Sequence, residues 1–493
     1  MHFIVKVFPE IIIKSPPVRK RFIRQLRDNL RTLLAGIDRD IKVQRDWEKI
    51  EVTADDSGLD EAARLQREAQ VAEVLGRTPG IGNYLHVVEY ALGDLHDIYE
   101  KTLENWVDSL AGRTFCVRVK RSGNHDFSST EIERYVGGGL AQHTENAGVA
   151  LKKPDVTVRI EVKQERLFIV ARQCRGLGGY PLGSQESVLS LISGGFDSTV
   201  STYLTMKRGI RTHFCFFNLG GRQHEIGVKE VAYYLWQKYG ASHPVKFVTV
   251  PFEGVVSEIL QHVDNSYMGV VLKRMMLRAA SAVAESAKLP ALVTGESVAQ
   301  VSSQTLPNLS VIDQVTDTLV LRPLITMDKG EIIDISRLIG TETFAASMPE
   351  YCGVISVKPT TRARLDKVEH VEAKFDFAVL ERAIAEQVTV DVRQLAETIE
   401  PSASAEVVAV LPADAVVVDI RHPDEQELKP LLIAGTEVLN IPFYTLNKAL
   451  AQLEPGRQYY LYCDKGIMSQ LHASHLVDDG HTHIGVYRPH GQP

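Results

Sequence analysis

The sequence predicts a multidomain chain of α/β and α+β modules. Three observations carry this expectation. Its 493 residues are enough for about three or four domains of ordinary size. From residue 187 to about 345, apolar strand-like runs alternate with helical patterns, which argues for a doubly wound sheet. A second α/β unit occupies 406–493, after a stretch with the composition of a linker, Thr398-Ile-Glu-Pro-Ser-Ala-Ser-Ala405.

Residues 1–55 read as strand, helix, strand. The helix, from about Val18 to Leu34, has Phe22, Leu26, Leu30, Leu33 and Leu34 at helical spacing with arginines between them. Residues 60–110 read as two helical segments around the turn Thr78-Pro-Gly-Ile-Gly-Asn83. Strands are expected at Thr114–Lys120, Val156–Val162 and Arg166–Ala171, with helices between them, then a glycine-rich connector, Gly176–Gly183. The doubly wound region offers strands at Val188–Ile192, Thr212–Phe217, Val245–Val250 and Ala291–Thr294. A mixed segment runs to about 395, and the last unit has strands at Val416–Ile420, Val438–Ile441 and Tyr459–Cys463.

A hydrophobic content of 44% and a charged content of 24% are those of an ordinary soluble globular protein. No apolar run reaches the roughly 18–20 residues of a membrane span, and Met1-His-Phe-Ile-Val-Lys-Val reads as a strand, not a signal peptide. A cytosolic protein without membrane contact is expected. The five cysteines, at 116, 174, 215, 352 and 463, form no C-x-x-C pair, which speaks against a zinc site or a disulfide framework. Cys116 and Cys215 lie in strand-like runs and read as small core residues.

The net charge of −7 argues against nucleic acid, but its distribution does not. Residues 11–45 carry ten Lys/Arg against three Asp/Glu, and residues 113–175 carry twelve against seven, leaving the rest strongly acidic. That is the footprint of a polyanion-binding module on an acidic body, or equally of a solvated basic face.

The chemistry begins at Leu189-Ser-Leu-Ile-Ser-Gly-Gly-Phe-Asp-Ser-Thr199, a buried strand, a glycine turn and a helix start. Unpaired amides at a helix N-terminus attract an anion, and two glycines let a pyrophosphate approach the backbone. No Walker lysine is present. Asp197 would repel phosphate unless a cation lay between them, so its sensible task is holding Mg²⁺. The loop Thr294–Gln304 follows a buried strand and is crowded with small polar residues, as a nucleotide-facing loop should be. Lys329, in Met327-Asp-Lys-Gly-Glu331, could stabilise charge on departing pyrophosphate, and Lys273 and Arg274 are candidate phosphate partners. The nucleotide set expected is Leu191, Ile192, Ser193, Gly194, Gly195, Asp197, Ser198, Lys273, Gly295 and Gln304. Ser193-Gly-Gly-Phe-Asp-Ser198 resembles the PP-loop of ATP pyrophosphatases, which break ATP between the α- and β-phosphates and leave AMP on a substrate oxygen.

Phe115-Cys-Val-Arg-Val-Lys-Arg121 and the stretch that follows, to Gly137-Gly-Gly-Leu140, resemble a THUMP domain of RNA-modifying enzymes. Arg118, Lys120 and Arg121 end a strand, and Ser128, Ser129 and Thr130 can cap the next helix. Such an array suits phosphate and ribose contacts. Pro9-Glu-Ile-Ile-Ile-Lys-Ser-Pro-Pro-Val-Arg-Lys-Arg-Phe22 resembles the ferredoxin-like extension found before THUMP in one family. The expected tRNA set is Arg19, Arg21, Arg118, Lys120, Arg121, Ser128 and Arg134.

Val416-Val-Val-Asp-Ile-Arg-His-Pro-Asp-Glu425 resembles the first strand of a rhodanese domain, and Cys463-Asp-Lys-Gly-Ile-Met-Ser469 its active-site loop. Amides and Lys465 around that sulfur would favour a thiolate or persulfide anion. Ser469 stands where a phosphatase on this fold would need arginine, so sulfur chemistry is favoured. Asp419, Arg421 and Glu425 read as a structural network, and Cys352 by itself as an unremarkable thiol.

The order ferredoxin-like (1–60), THUMP (61–175), PP-loop (176–397), linker (398–405) and rhodanese (406–493) resembles the ThiI family of tRNA 4-thiouridine synthetases over essentially the whole chain. The resemblance implies that ATP adenylates the C4 oxygen of the uridine at position eight of tRNA. It implies persulfide sulfur on Cys463 loaded by a cysteine desulfurase of the IscS type, a Cys352–Cys463 disulfide as sulfur is released, and sulfur supply for the thiamine thiazole. It leaves a homodimer open. Two rivals are a sulfur carrier serving mainly thiazole synthesis, against which the complete PP-loop speaks, and an RNA-binding protein that only senses ATP.

Overall fold

The computed structural model describes residues 1–493 except 47–48, 220–221, 349–357, 399–404, 413, 422, 443–445, 447–448, 450–452, 455, 465–466, 479 and 490–493. It divides into two units, Met1–Pro181 and Leu182–Pro493.

The first unit runs β1 (His2–Val7), α1 (Pro9–Ile12), α2 (Pro16–Leu34), β2 (Lys42–Asp46), β3 (Lys49–Thr53), α3 (Glu61–Arg77) and β4 (Ile81–Ala91). It continues through α4 (Leu95–Trp106), β5 (Thr114–Ser122), α5 (Ser129–His143), β6 (Gly148–Val149), β7 (Val156–Lys163) and β8 (Arg166–Arg175). Pro16 and Pro17 open α2, where a missing N–H costs nothing. Phe22, Leu26, Leu30 and Leu34 then fall on one buried face, while Arg21 and Arg24 point to solvent.

Two expectations are corrected here. The second segment near the 78–83 turn is not helical at first: the strand β4 follows the turn, and α4 comes after it. An extra residue at Gly82 opposite β1, and another at Ala171 of β8 opposite β4, break the two-residue alternation that would reveal the strand. Nor do the modules divide at 60/61. Val71 and Leu75 of α3 and Ile81 and Tyr84 of β4 share one core with Phe22, Leu26 and Leu30, so 61–91 completes the first module. β4 pairs with β1 on one side and β8 on the other, making a single eight-stranded sheet, β2-β3-β1-β4-β8-β7-β5-β6. A second core, including Ile98, Phe115, Ile132, Val136 and Ile160, packs α4 and α5 on the later strands.

The second unit begins with β9 (Gln185–Leu191), α6 (Phe196–Lys207), β10 (Ile210–Asn218), α7 (Arg222–Leu235), β11 (Lys246–Pro251), α8 (Glu253–His262) and α9 (Met268–Ser286). There follow β12 (Ala291–Val293), α10 (Leu306–Asp313), β13 (Leu319–Leu321), α11 (Lys329–Ile339), α12 (Glu342–Ser347), α13 (Leu365–Glu372), α14 (Phe377–Ala385) and β14 (Val388–Asp391). Their sheet has the order β13-β12-β9-β10-β11-β14, parallel except for the antiparallel edge strand β14. The chain leaves β9 outward through β10 and β11, then returns to place β12 and β13 on the other side. Sheets of this kind bind ligands where the strand order reverses, here beyond the carboxyl ends of β9 and β12. A cavity of about 770 Å³ at the other end of these strands, lined by Gln185, Arg211 and Lys246 among others, lies away from that point.

The last part holds β15 (Val407–Val408), β16 (Val416–Asp419), α15 (Pro423–Leu428), β17 (Glu437–Asn440), β18 (Tyr459–Tyr462), α16 (Ile467–Asp478) and β19 (Ile484–Tyr487). Its parallel sheet has the order β15-β19-β18-β16-β17. Val416, Val417 and Val418 are all buried, as a central parallel strand covered on both faces requires. The order reverses between β16 and β18, so the residues after those strands, Arg421 and Cys463, come together.

Candidate functional site

Gly194 takes φ +84°, a conformation that favours glycine, and turns the chain from β9 into α6. Gly195 is the N-cap of α6, and no side chain caps it, so the first amides of the helix face the turn uncovered. The Ser198 hydroxyl accepts from the Ser193 N–H at 3.2 Å and lies 3.2 Å from the Ser193 hydroxyl, holding the loop closed. Ile192 contributes backbone: its N–H donates to Cys215 at 2.9 Å, extending the pairing of β9 with β10 just beyond Leu191.

The loop after β12 closes directly on this turn. A Cβ on Gly295 would lie 2.6 Å from the Asp197 carbonyl carbon. Asp197 accepts from the Lys329 ammonium at 2.9 Å and from the Gln300 amide at 2.8 Å, and the same ammonium stands 5.3 Å over the Phe196 ring. The structure therefore brings together Ser193, Gly194, Gly195, Asp197, Ser198, Gly295 and Lys329, which the sequence names from distant segments. A carboxylate beside a bare helix start, with an ammonium paired to it, would suit ATP with Mg²⁺, and Asp197 is the residue that would hold the ion. Among the described residues no group of three His, Cys, Asp or Glu is arranged to hold a metal alone.

Lys273 and Gln304 sit behind the loop. Lys273 pairs with Glu296 at 2.6 Å, and Arg322 reaches the same carboxylate at 2.7 Å. Burial by itself would raise the Glu296 pKa; the two cations overcome that and hold it down to about 2. Gln304 is buried and accepts from the Ser297 N–H at 3.3 Å. Arg274 is not a phosphate partner: it is buried and grips Glu372 through two bonds of 2.9 and 2.8 Å. Glu296, Gln300 and Arg322 are functional-site residues not singled out in the sequence, although Glu296 and Gln300 lie in the polar loop after β12. His224, whose Nε2 donates to the Ser193 carbonyl at 3.0 Å, has no sequence signal at all.

In the first unit Arg21, Arg118, Lys120, Arg121, Ser128 and Arg134 are exposed and Arg19 is half-buried. Ser128 caps α5 in a reciprocal box with Glu131, and Val119 N–H donates to Glu133 at 2.9 Å, tying that helix to the basic end of β5. Arg118 and Arg121 donate to the carbonyls of Leu151 and Gly123, which leaves their charge facing water.

Cys463 follows β18 and is 7% exposed. Its sulfur accepts from the Ser469 N–H at 3.3 Å, in the first turns of α16, and lies 3.5 Å from the Ser469 hydroxyl. Of Asp419, Arg421 and Glu425, the first two form a buried pair at 2.6 Å, and Arg421 also reaches Asp464 at 3.1 Å. Cys352 and Lys465 lie outside the described residues. Met348, shortly before Cys352 in the chain, lies against Gly194 and Gly227, where added Cβ atoms would meet its side chain at 3.0 and 2.4 Å.

Residues 2–84 match the ThiI ferredoxin-like domain, 93–171 the THUMP domain and 183–377 the family described as thiamine biosynthesis protein (ThiI). The chain is 56% identical over 491 residues to a tRNA sulfurtransferase of Saccharophagus degradans, covering 99% of this chain and all of the relative. A tRNA sulfurtransferase of Pseudomonas paraeruginosa is 59% identical over 489 residues with the same coverage. The chain belongs to the tRNA sulfurtransferase family. Among solved structures, a 4-thiouridine synthetase–RNA complex with bound ATP superposes on this sulfurtransferase with a TM-score of 0.69 at 25% identity, covering 79% of this chain and 99% of that one. The Pyrococcus horikoshii protein PH1313 shares the fold, with a TM-score of 0.52 over 69% of this chain and 100% of its own, at 18% identity. No helix among the described residues is long and apolar enough to cross a membrane.

Proposed function

We propose that this chain is an ATP-dependent sulfurtransferase that converts a uridine of tRNA, at position eight, to 4-thiouridine. The observation that carries the reading is the uncapped helix start after β9, with Asp197 and Lys329 paired beside it, in a chain 56% identical along its length to tRNA sulfurtransferases. The turn is suited to a nucleotide's phosphates, and Lys329 is suited to stabilise charge on leaving pyrophosphate once released from Asp197.

The uridine C4 oxygen attacks the α-phosphorus of ATP and pyrophosphate leaves. Cys463, in a loop similar to that of rhodaneses, carries a persulfide from a cysteine desulfurase of the IscS type. Its terminal sulfur attacks C4 and displaces AMP. The Cys352 thiol then attacks the Cys463 sulfur, releasing thiolated tRNA and forming a Cys352–Cys463 disulfide, so the electrons that reduce the sulfur come from two thiols. A reductant resets the pair. Binding of tRNA belongs to the exposed cations of the first unit. The same persulfide can supply the thiamine thiazole, and a cytoplasmic location and a homodimer are compatible with this reading.

Labelled sulfur passed from a desulfurase, followed by non-reducing peptide mapping after one turnover, tests the scheme. Label on Cys463 and a Cys352–Cys463 disulfide are expected. Label on Cys352 in a Cys463→Ala protein would overturn the assignment.

A further inference from the structure

The cavity of about 770 Å³ at the amino ends of β9, β10 and β11 is no part of the nucleotide site, which lies beyond the carboxyl ends of the same sheet. Its lining belongs wholly to the second unit. The buried part of that lining is apolar and includes Leu189, Val248 and Val283. The outer part is cationic, with Arg211, Lys246 and Lys288, and Glu186 is the one carboxylate among the lining residues. These cations are poorly partnered. Arg211 donates through Nε to the Ser187 hydroxyl at 2.7 Å, and among the described residues no carboxylate pairs with it or with Lys288. Lys246 stands 4.0 Å from Asp391, but Arg393 already holds that carboxylate through two bonds of 2.8 Å. His213 adds a donor without a charge. Its Nδ1 accepts from the Lys246 N–H at 2.9 Å, so the neutral ring carries its proton on Nε2. Burial, then the charges of Arg211 and Lys246, hold its pKa down to about 4.

We infer that this cavity is a second anion site, which takes a small molecule made of a phosphate group and an apolar, ring-sized body. The phosphate faces Arg211, Lys246, Lys288 and the His213 Nε2–H, and the body lies on Leu189, Val248 and Val283. A hollow walled by one sign of charge draws in an anion, and the guanidinium fork of Arg211 has its two terminal nitrogens left for phosphate oxygens. The volume falls in the range of about 300–1,000 Å³ usual for sites that hold whole small molecules. Lys288 supplies an independent observation. It follows α9 at φ +55°, a conformation in which glycine is the usual residue. A lysine near a helix end is ordinary; one held in a strained backbone is not, and such strain gathers at binding sites. A merely solvated basic surface would need neither the apolar wall nor the strained lysine. An RNA backbone fits less well, since it offers a row of phosphates to a surface and not one phosphate to a hollow.

The test treats the full chain with pyridoxal 5′-phosphate, whose aldehyde forms an imine with a lysine amine and loses water, then fixes the adduct with borohydride and maps the peptides. Adducts are expected on Lys246 and Lys288, formed about tenfold faster than with pyridoxal, which lacks the phosphate, and suppressed by inorganic pyrophosphate. Arg211→Ala should lower both adducts about tenfold. Lys288→Gly suits the backbone at that position and keeps the fold, yet should lower the Lys246 adduct about threefold through the lost charge. AMP formation with tRNA and ATP should stay within about threefold of the wild type in both variants, because the two sites stand at opposite ends of the sheet. Equal labelling by the two aldehydes, or unchanged labelling in Arg211→Ala, would overturn the site. Suppression by tRNA but not by pyrophosphate would overturn the small-molecule reading, and a parallel loss of AMP formation in Lys288→Gly its separation from the nucleotide site.

Discussion

Replacing Gly295 with alanine puts a methyl group where the backbone of the phosphate loop already is. The added carbon would lie 2.6 Å from the Asp197 carbonyl carbon and 2.8 Å from both the Asp197 carbonyl oxygen and the Ser198 nitrogen. Ordinary contact begins at 3.4 Å, so the two loops must part by about 0.8 Å. All three clashing atoms are backbone, and no side-chain rotation relieves them. Misplacing reacting groups by about 1 Å costs on the order of a hundredfold in rate, or about 2–3 kcal/mol of transition-state stabilisation. Overpacking should also cost about 1–3 kcal/mol of stability. The assay is AMP and pyrophosphate release with unmodified tRNA, run beside thermal unfolding, with Gly58→Ala as control because a Cβ there meets nothing within 4 Å. AMP formation by Gly295→Ala within threefold of the wild type would refute the idea that these two loops jointly form the nucleotide site.

Asp197→Ala should lower AMP formation about a hundredfold or more while tRNA binding persists, as filter binding would show. Alanine at Arg118, Lys120 and Arg121 should weaken tRNA binding and flatten its dependence on salt, measured by titration at several ionic strengths. Glu296 has a folded-state pKa of about 2, below its ordinary 4.5. Its stabilising contribution is therefore complete above that ordinary value and is lost as pH falls towards 2, so urea unfolding across this window should show a loss that Glu296→Gln lacks. Glu296→Ala strands Lys273, while Arg322 keeps Asp313, and should cost about 3 kcal/mol at neutral pH.

What the sequence disclosed was mostly local. The phosphate loop is legible because strand, glycine turn and helix start are consecutive, and Cys463 because its loop joins β18 to α16 in the same way. Asp197 and Lys329 are each readable in their own segments, but not their contact, which joins positions 132 residues apart. Lys273 reads as a cation available to phosphate until the fold brings Glu296 to it, and Arg274 until it brings Glu372. β4 hides because bulges in β4 and its partner strand spoil its alternation, and β14 because a four-residue edge strand carries too short a pattern. The approach of Glu230 in α7 to His472 in α16 joins segments far apart in the chain, and nothing in either one announces it.

The central claim is that ATP is split between its α- and β-phosphates to make the uridine oxygen a leaving group for sulfur. A single-turnover reaction of the full chain with unmodified tRNA, cysteine, a cysteine desulfurase and α-labelled ATP with Mg²⁺ measures this directly. The account predicts labelled AMP, with pyrophosphate and thiolated nucleoside in equal amounts, and AMP that requires tRNA. Labelled ADP in place of AMP, or thiolated nucleoside formed without ATP, would contradict it.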